Sequence, residues 1–460
     1  MRKIEGKYYY RFVCAIVLMA MAAGMFFFVW YRIITLYHTR TFLFGKGNLG
    51  MALGLYLGLY VVLGRLVRAF KIGVERKASV IAAQIITLFL ADLSEVFLSL
   101  AIIGEFRFFW QFFWRYVLLF IIQAVVISFL TILMVDLYRK LFPPLQLLEI
   151  YGDYEDTFWQ EVNNIPYKYH INRRMHYSQG PFNDEIGKYN AVLINNVPAR
   201  QRNDILKLCF ARDKRVYFVP KLSDILVRKA DEINLFDTPL FLCRNSGSLL
   251  IRRWIKRFFD FTLSLLAIIV LSPIFLVTAI AIKLNDGGPV FYKQERVTIG
   301  GRRFMMIKFR SMIVDAEKDG RSRPAGENDD RITKVGKIIR PTRIDELPQL
   351  INILKGDMSI VGPRPERWDH VEKYTEEIPE FVFRQKCRGG LTGYAQVYGK
   401  YNTSALDKLK MDLVYITNFS LLLDLQIILE TLKILLRKES TQGFSEQAIT
   451  ELHDYDTTDI

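Results

Sequence analysis

Over the first third of the chain the apolar positions form long unbroken runs instead of recurring at helix or strand spacing. Residues 12–30, 47–64, 79–104 and 116–135 each approach the ~20 apolar residues that cross a bilayer's hydrocarbon core, which predicts four spanning helices. The pattern changes at Pro143-Pro144. Short β-like runs at 145–150, 191–194, 216–219 and 240–243 then alternate with polar helical segments, as in a small α/β domain. A fifth long apolar run, 258–282, carries Ser272-Pro273 in its middle. Beyond Gly287 the chain turns polar, basic and rich in turn residues. Helical amphipathicity returns over 411–436, where interfacial helices and soluble core helices fit equally. The last residues, with Glu446, Glu451, Asp454, Asp456 and Asp459, read as a solvated acidic tail.

Composition supports the membrane reading: the chain is 51% hydrophobic and yet 24% charged, with a formal net charge of +15. The excess cations sit beside the apolar runs. Arg2, Lys3, Lys7 and Arg11 precede the first, and Arg65, Arg68, Lys71, Arg76 and Lys77 lie between the second and third. Both ends of the bundle are therefore expected on the cytoplasmic side. Because these cations flank membrane segments and form no stripe interleaved with aromatics, nucleic-acid binding is excluded. The first run is too long for a signal-peptide core and lacks a cleavage site, so it is read as a retained anchor. Cys14, Cys209, Cys243 and Cys387 are scattered, without zinc-site or disulfide spacing. Asp92 and Glu95, three apart in the third run, face the bundle interior, either as an ion or ligand path or as interior polar residues that hold the helices together. Tyr151-Gly152 closes the first β-like run without a GxGxxG pattern, so a dinucleotide site is not expected in the middle domain.

Two structures fit the run at 258–282. A proline-kinked spanning helix is one. The other is a hairpin that enters and leaves the same face, favoured by cations at both ends: Arg252, Arg253, Lys256 and Arg257 before it, Lys283 after it. The chemistry downstream decides between them. In Arg340-Pro-Thr-Arg-Ile-Asp-Glu-Leu-Pro-Gln-Leu350 the adjacent Asp345 and Glu346 point about 100° apart on a helix, so one can attack phosphorus while the other binds Mg²⁺. An isolated pair of this kind is ordinarily only helix-start capping. Here Gly356-Asp-Met-Ser-Ile-Val-Gly-Pro-Arg-Pro-Glu366 follows, with Pro363 and Pro365 stiffening the backbone around Arg364, a candidate bidentate grip on a diphosphate. Upstream, Tyr292-Lys-Gln-Glu-Arg-Val and Lys308-Phe-Arg-Ser-Met add cations.

Together these runs, with Lys-Arg-Phe-Phe-Asp-Phe at 256–261 and Gly-Pro-Val-Phe-Tyr-Lys-Gln-Glu-Arg at 288–296, resemble the bacterial sugar transferase family, the monotopic phosphoglycosyl transferases, over residues 251–436. The longer members, which include undecaprenyl-phosphate galactose or glucose phosphotransferases, look similar throughout. The resemblance implies that Asp345 attacks the β-phosphate of a UDP-sugar and releases UMP, that Glu346 holds Mg²⁺, and that undecaprenyl phosphate then displaces Asp345. It places Pro363, Arg364 and Pro365 near the nucleotide and assigns Arg340, Lys308, Arg310 and Gln396 to substrate binding. It also makes Ser272-Pro273 the break of a re-entrant helix. The later loop departs from the family's usual Pro-Gly-Leu-Thr-Gly-Trp-Ala-Gln-Val-Asn-Gly, reading Gly389-Gly-Leu-Thr-Gly-Tyr-Ala-Gln-Val-Tyr-Gly399. Gly389 is expected to loosen the start of that loop, and Tyr398 to change a polar contact to substrate.

The expected architecture is a membrane protein: an α-helical bundle of four spanning helices at 1–142, a small α/β Rossmann-like regulatory or structural domain at 143–248, and an α/β-type catalytic domain at 249–440. The last carries a re-entrant helix at 254–284 and interfacial helices, and the acidic tail occupies 441–460. The expected location is the bacterial inner membrane with catalysis on the cytoplasmic face, at the first membrane step of exopolysaccharide, capsule or O-antigen synthesis. Partners are the UDP-sugar, undecaprenyl phosphate and the lipid bilayer, with a second copy of the chain or polysaccharide-assembly proteins as further candidates. A catalytically silent scaffold for polysaccharide assembly is the alternative.

Overall fold

The structure, a computed structural model, describes residues 2–37, 46–103, 106–153, 158–243, 249–314, 316, 329–399 and 403–435. The chain divides into two compact units, Met1–Pro220 and Lys221–Ile460.

The first unit opens with α1 (Arg2–Tyr37), α2 (Lys46–Leu66), α3 (Lys77–Ile103) and α4 (Phe109–Leu141). Stretches long and apolar enough to span occur at Gly6–Ile33, Lys77–Ala101 and Phe106–Leu141, whereas the apolar part of α2, Gly50–Leu66, is shorter. The polarity is inverted relative to a soluble bundle. On α4 the buried positions recur every three or four residues from Phe112 to Tyr138 and include Gln123 and Thr131, while Trp114, Leu118, Val125 and Phe129 face outward. Hydrocarbon favours this arrangement, because polar side chains find partners only inside. Gln123 donates to the Ala22 carbonyl and the Tyr56 hydroxyl at 3.0 Å each, Tyr60 donates to Gln84 at 2.6 Å, and Phe26 stacks on Tyr56 at 4.2 Å. These contacts join all four helices. Asp92 and Glu95 lie in the same interior, 2% and 1% exposed, and both Asp92 oxygens and Glu95 Oε1 have no hydrogen-bond partner.

After the two prolines come β1 (Leu145–Tyr151), α5 (Phe158–Asn163), β2 (Tyr169–His176), α6 (Asn183–Lys188), β3 (Ala191–Asn195), α7 (Ala199–Ala211) and β4 (Arg215–Phe218). The strands form one parallel sheet in the order β2-β1-β3-β4. β3 is buried at every position, as a central strand covered on both faces requires. The buried Glu149 of the neighbouring β1 accepts from Arg174 at 2.7 Å and Asn195 at 3.1 Å. A side chain on Gly152 would meet the Asn196 carbonyl oxygen at 2.1 Å, so this glycine serves close backbone packing.

The second unit begins at Lys221, upstream of the boundary expected at residue 248. The reason is α8 (Leu222–Val227), whose Ile225 joins a core with Val297, Val371, Phe381, Leu409 and Leu413. The run expected at 240–243 as a strand of the α/β domain instead lies in an exposed antiparallel hairpin, β5 (Asp231–Leu235) and β6 (Thr238–Leu242).

α9 (Leu249–Asp286) runs as one helix through Pro273. Proline leaves the carbonyl four residues back without its usual N–H, and the Ser272 hydroxyl donates to that carbonyl, of Ile269, at 2.8 Å. One face of α9 docks along the unit from end to end. Arg257 donates to the Ile353 and Leu354 carbonyls at 2.5 and 2.8 Å, and Asp260 accepts from the Ser359 hydroxyl and Ile360 N–H at 2.8 and 3.1 Å. Ala267, Ile268 and Leu271 pack on Phe304 and Met306, and Ile282 shares a core with Phe309 and Ile339. The other face, with Phe258, Leu266, Val270, Val277 and Leu284, is exposed.

The rest of the unit comprises the antiparallel pair β7 (Phe291–Val297) and β8 (Arg303–Phe309), then α10 (Gly336–Ile339), α11 (Gln349–Lys355), β9 (Met358–Val361), α12 (Trp368–Glu377) and β10 (Gly389–Thr392), which pairs in parallel with β9. α13 (Tyr394–Tyr398), α14 (Ala405–Thr417) and α15 (Leu421–Leu435) follow. α14 buries Leu409 and Leu413 in the soluble core. α15 buries Ile427 but turns Leu421, Leu422, Leu425 and Leu432 outward. The expected acidic tail lies outside the described residues.

Candidate active site

Asp345 and Glu346 occupy a single 3₁₀ turn, Ile344–Glu346, between α10 and α11. Arg343 enters it with a left-handed backbone, φ 56°, a local strain of the kind concentrated at functional sites. Three cations from separate parts of the unit converge on Glu346. Lys308 of β8 and Arg364, beyond β9, each stand 3.1 Å from Oε1, and Arg343 lies 3.6 Å from Oε2. Burial alone would raise the Glu346 pKa, but Lys308, Arg364 and Arg343 hold it well below the usual carboxylate range. Asp345 behaves oppositely: burial, then the adjacent Glu346 charge, raise it to about 6 against the pull of Lys308, Arg340 and Arg343. Its Oδ1 is buried without a hydrogen-bond partner. The turn thus sets two neighbouring acids apart, Glu346 held in its ionised form by its cations and Asp345 raised to about 6 by burial and the Glu346 charge.

Of the residues singled out from sequence, Lys308, Arg364, Asp345 and Glu346 come together. Arg340 acts on Asp345 through its charge. Arg310 does not join them, since its guanidinium holds both oxygens of Asp286 and donates to the Pro289 carbonyl at 2.7 Å. That arrangement fixes the end of α9. Gln396 lies on α13 with Nε2 buried and unpartnered, and the Tyr398 ring stands 4.6 Å from Tyr394.

Sequence reasoning missed the apparatus that holds the Pro363-Arg364-Pro365 backbone. Arg384, 6% exposed, donates to the Arg364 carbonyl at 3.0 Å, pairs with Asp412 at 2.8 Å and reaches Glu366 at 3.5 Å. Arg296 donates to the Pro365 carbonyl at 3.3 Å, and Gly390 N–H to the Pro363 carbonyl at 2.8 Å. Every carbonyl of the motif is therefore occupied from behind, which leaves the Arg364 side chain to face Glu346. Gly389 also differs from expectation. It does not loosen the loop: a Cβ there would meet Pro365 Cγ at 2.4 Å, and its N–H donates to Thr298 Oγ1 at 3.1 Å, a bond that proline cannot make.

An acidic pair clasped by cations, in a unit that carries one long half-exposed apolar helix, defines a membrane-associated α/β catalytic domain. Residues 251–438 match the family described as bacterial sugar transferase. The chain is 42% identical over 227 residues to the UDP-N-acetylgalactosamine-undecaprenyl-phosphate N-acetylgalactosaminephosphotransferase of Aeromonas hydrophila, covering 48% of this chain and 52% of that protein. It is similar to two proteins named UDP-glucose:undecaprenyl-phosphate glucose-1-phosphate transferase. The one from Escherichia coli K12 is 40% identical over 219 residues, 45% of each chain. The one from Caulobacter vibrioides is 41% identical over 191 residues, 40% of this chain and 71% of that protein. The chain thus spans about half the length of the first two relatives and most of the third. It belongs to the bacterial sugar transferase family.

Proposed function

We propose that this protein transfers hexose-1-phosphate from a UDP-sugar to undecaprenyl phosphate, giving undecaprenyl-diphosphate-sugar and UMP. The observation that carries this reading is the buried, unpartnered Oδ1 of Asp345 beside an ionised Glu346. An Asp345 oxygen attacks the β-phosphorus of the donor; the bond from that phosphorus to the bridging oxygen breaks, and UMP leaves with the electron pair. An oxygen of the lipid phosphate then attacks the same phosphorus and frees the Asp345 carboxylate. No proton transfer is needed in either displacement, so a nucleophile with a pKa near 6 is ready at neutral pH. Lys308, Arg364 and Arg340 oppose the charge that gathers on the phosphoryl oxygens.

The residues fit Mg²⁺. Among the described residues no group of three or more His, Cys, Asp or Glu encloses an ion, and Mg²⁺ commonly takes one or two carboxylates and completes its shell with water and substrate phosphates. Glu346, held ionised by its three cations, would be the carboxylate that holds the ion, and Mg²⁺ bound there would supply charge neutralisation of the donor's diphosphate.

α9 is read as a re-entrant element of the inner membrane, with catalysis on the cytoplasmic face. In support of a helix that does not cross the bilayer, its beginning, middle and end all dock on the same unit. A first step in exopolysaccharide, capsule or O-antigen assembly fits this product. The test is UMP release by purified protein from UDP-glucose, UDP-galactose and their N-acetylated forms with undecaprenyl phosphate. Mass spectrometry without acceptor should find sugar phosphate on the Asp345 peptide; its appearance on another residue would move the nucleophile. A tag after Leu284 should label only from the cytoplasm, and labelling from outside would make α9 a spanning helix.

A further inference from the structure

The first unit contains a cavity of about 190 Å³ lined by Lys7 and Arg11 of α1, the end of α4, and Lys168, Tyr169 and Arg215 at the beginnings of β2 and β4. No acid lines it. Among the described residues none of these four cations is paired with a carboxylate. Arg11 donates only sideways, to the Tyr138 hydroxyl at 2.7 Å, and its Nε is buried without a partner. Four cations brought together with no counter-charge repel one another, a cost that an anion in the cavity removes. The depth of the site narrows the choice of anion. Lys7 and Arg11 stand at the start of the apolar stretch Gly6–Ile33, and Tyr138 at the end of Phe106–Leu141, which puts the cavity at the level of lipid headgroups. It also opens at the amino ends of β1, β2 and β4, opposite the carboxyl ends where open parallel sheets hold nucleotides.

We propose that this cavity binds the phosphate group of an anionic membrane lipid, held by Lys7, Arg11, Lys168 and Arg215. Guanidinium and ammonium groups recognise phosphate through charge-assisted hydrogen bonds, and a lipid seated here bridges the helix ends to the sheet. The test uses the full-length protein in detergent, with native mass spectrometry during titration by phosphatidylglycerol or phosphatidylcholine. Wild type should hold one phosphatidylglycerol and no phosphatidylcholine. The Lys7→Gln/Arg215→Gln variant should bind it about tenfold more weakly, through loss of two charge-assisted contacts. Arg65→Gln/Lys71→Gln, which removes the same charge beside the membrane but outside the cavity, should bind as wild type does. Should the double variant fail to fold, as judged by its lipid-free Tm, Lys168→Gln alone carries the comparison. Equal binding by wild type and the cavity variants, or equal loss in the control, would overturn the site. Displacement of the lipid by inorganic phosphate or UMP at similar concentration would overturn the lipid assignment and leave a soluble phosphate as the ligand.

Discussion

Replacing Asp345 by Asn should abolish transfer and at the same time make the protein more stable. The folded state raises the Asp345 pKa from 3.8 to about 6, roughly two units, or about 3 kcal/mol at 1.36 kcal/mol per unit. The sign follows from proton binding. Below pH 3.8 the side chain is protonated whether folded or unfolded, and nothing is lost. As pH rises from there to about 6, the unfolded chain releases its proton while the fold resists, so stability falls, and above that window the whole penalty applies. Asparagine keeps the shape without the charge. Its advantage should therefore be a Tm gain of about 5–10 °C at pH 7.5 for a unit of this size, fading by pH 4. Glu346→Gln should do the reverse. It leaves the partly buried Lys308 without its carboxylate, at a cost of about 2 kcal/mol. Near-UV circular dichroism melts in detergent, run at both pH values beside UMP-release assays, measure all of this. An Asp345→Asn protein that melts at or below the wild-type temperature at pH 7.5, or whose gain persists at pH 4, would refute the electrostatic argument.

The UMP-release rate should fall about tenfold per pH unit below about 6, where Asp345 becomes protonated, and remain level just above it; a rate independent of pH from 5 to 7 would contradict the assignment of the nucleophile. Arg384→Ala should destabilise by roughly 3–5 kcal/mol, because the buried Asp412 and the partly buried Glu366 lose their common cation; a denaturant midpoint equal to wild type would show that the network carries no such energy. Gly389→Pro, although it restores the family's usual residue, should raise KM for the UDP-sugar several-fold by losing the Thr298 bond and displacing Pro365, and unchanged kinetics would mean that β10 yields easily at this point.

The helical bundle was legible because hydrophobicity over a 20-residue window is a direct physical requirement of the bilayer. The acidic pair was legible only through the motifs around it, since an Asp-Glu step near a helix start ordinarily means capping. Arg384 and Asp412 were not legible. They lie far apart in the chain, and a lone arginine or aspartate between mixed neighbours has the pattern of a solvated surface residue until the fold brings the two together at 2.8 Å. α8 escaped for a related reason. A six-residue helix with one buried side chain, Ile225, has too little periodicity to reveal which core it joins. Gly389 was misjudged because conformational freedom and close approach are both written as glycine, and only the position of Pro365 separates them.

The docking of α9 has a mechanical consequence. Because Arg257 and Asp260 fasten one end, Ala267 and Leu271 the middle and Ile282 the other, the helix cannot sink, rise or roll in the bilayer without carrying the sheet and the acidic turn with it. It works as a depth gauge. The height of Asp345 above the hydrocarbon is set by where the exposed apolar face settles, so in the proposed reaction a membrane-bound phosphate would meet the Asp345 carboxylate at a level fixed by the protein's own geometry.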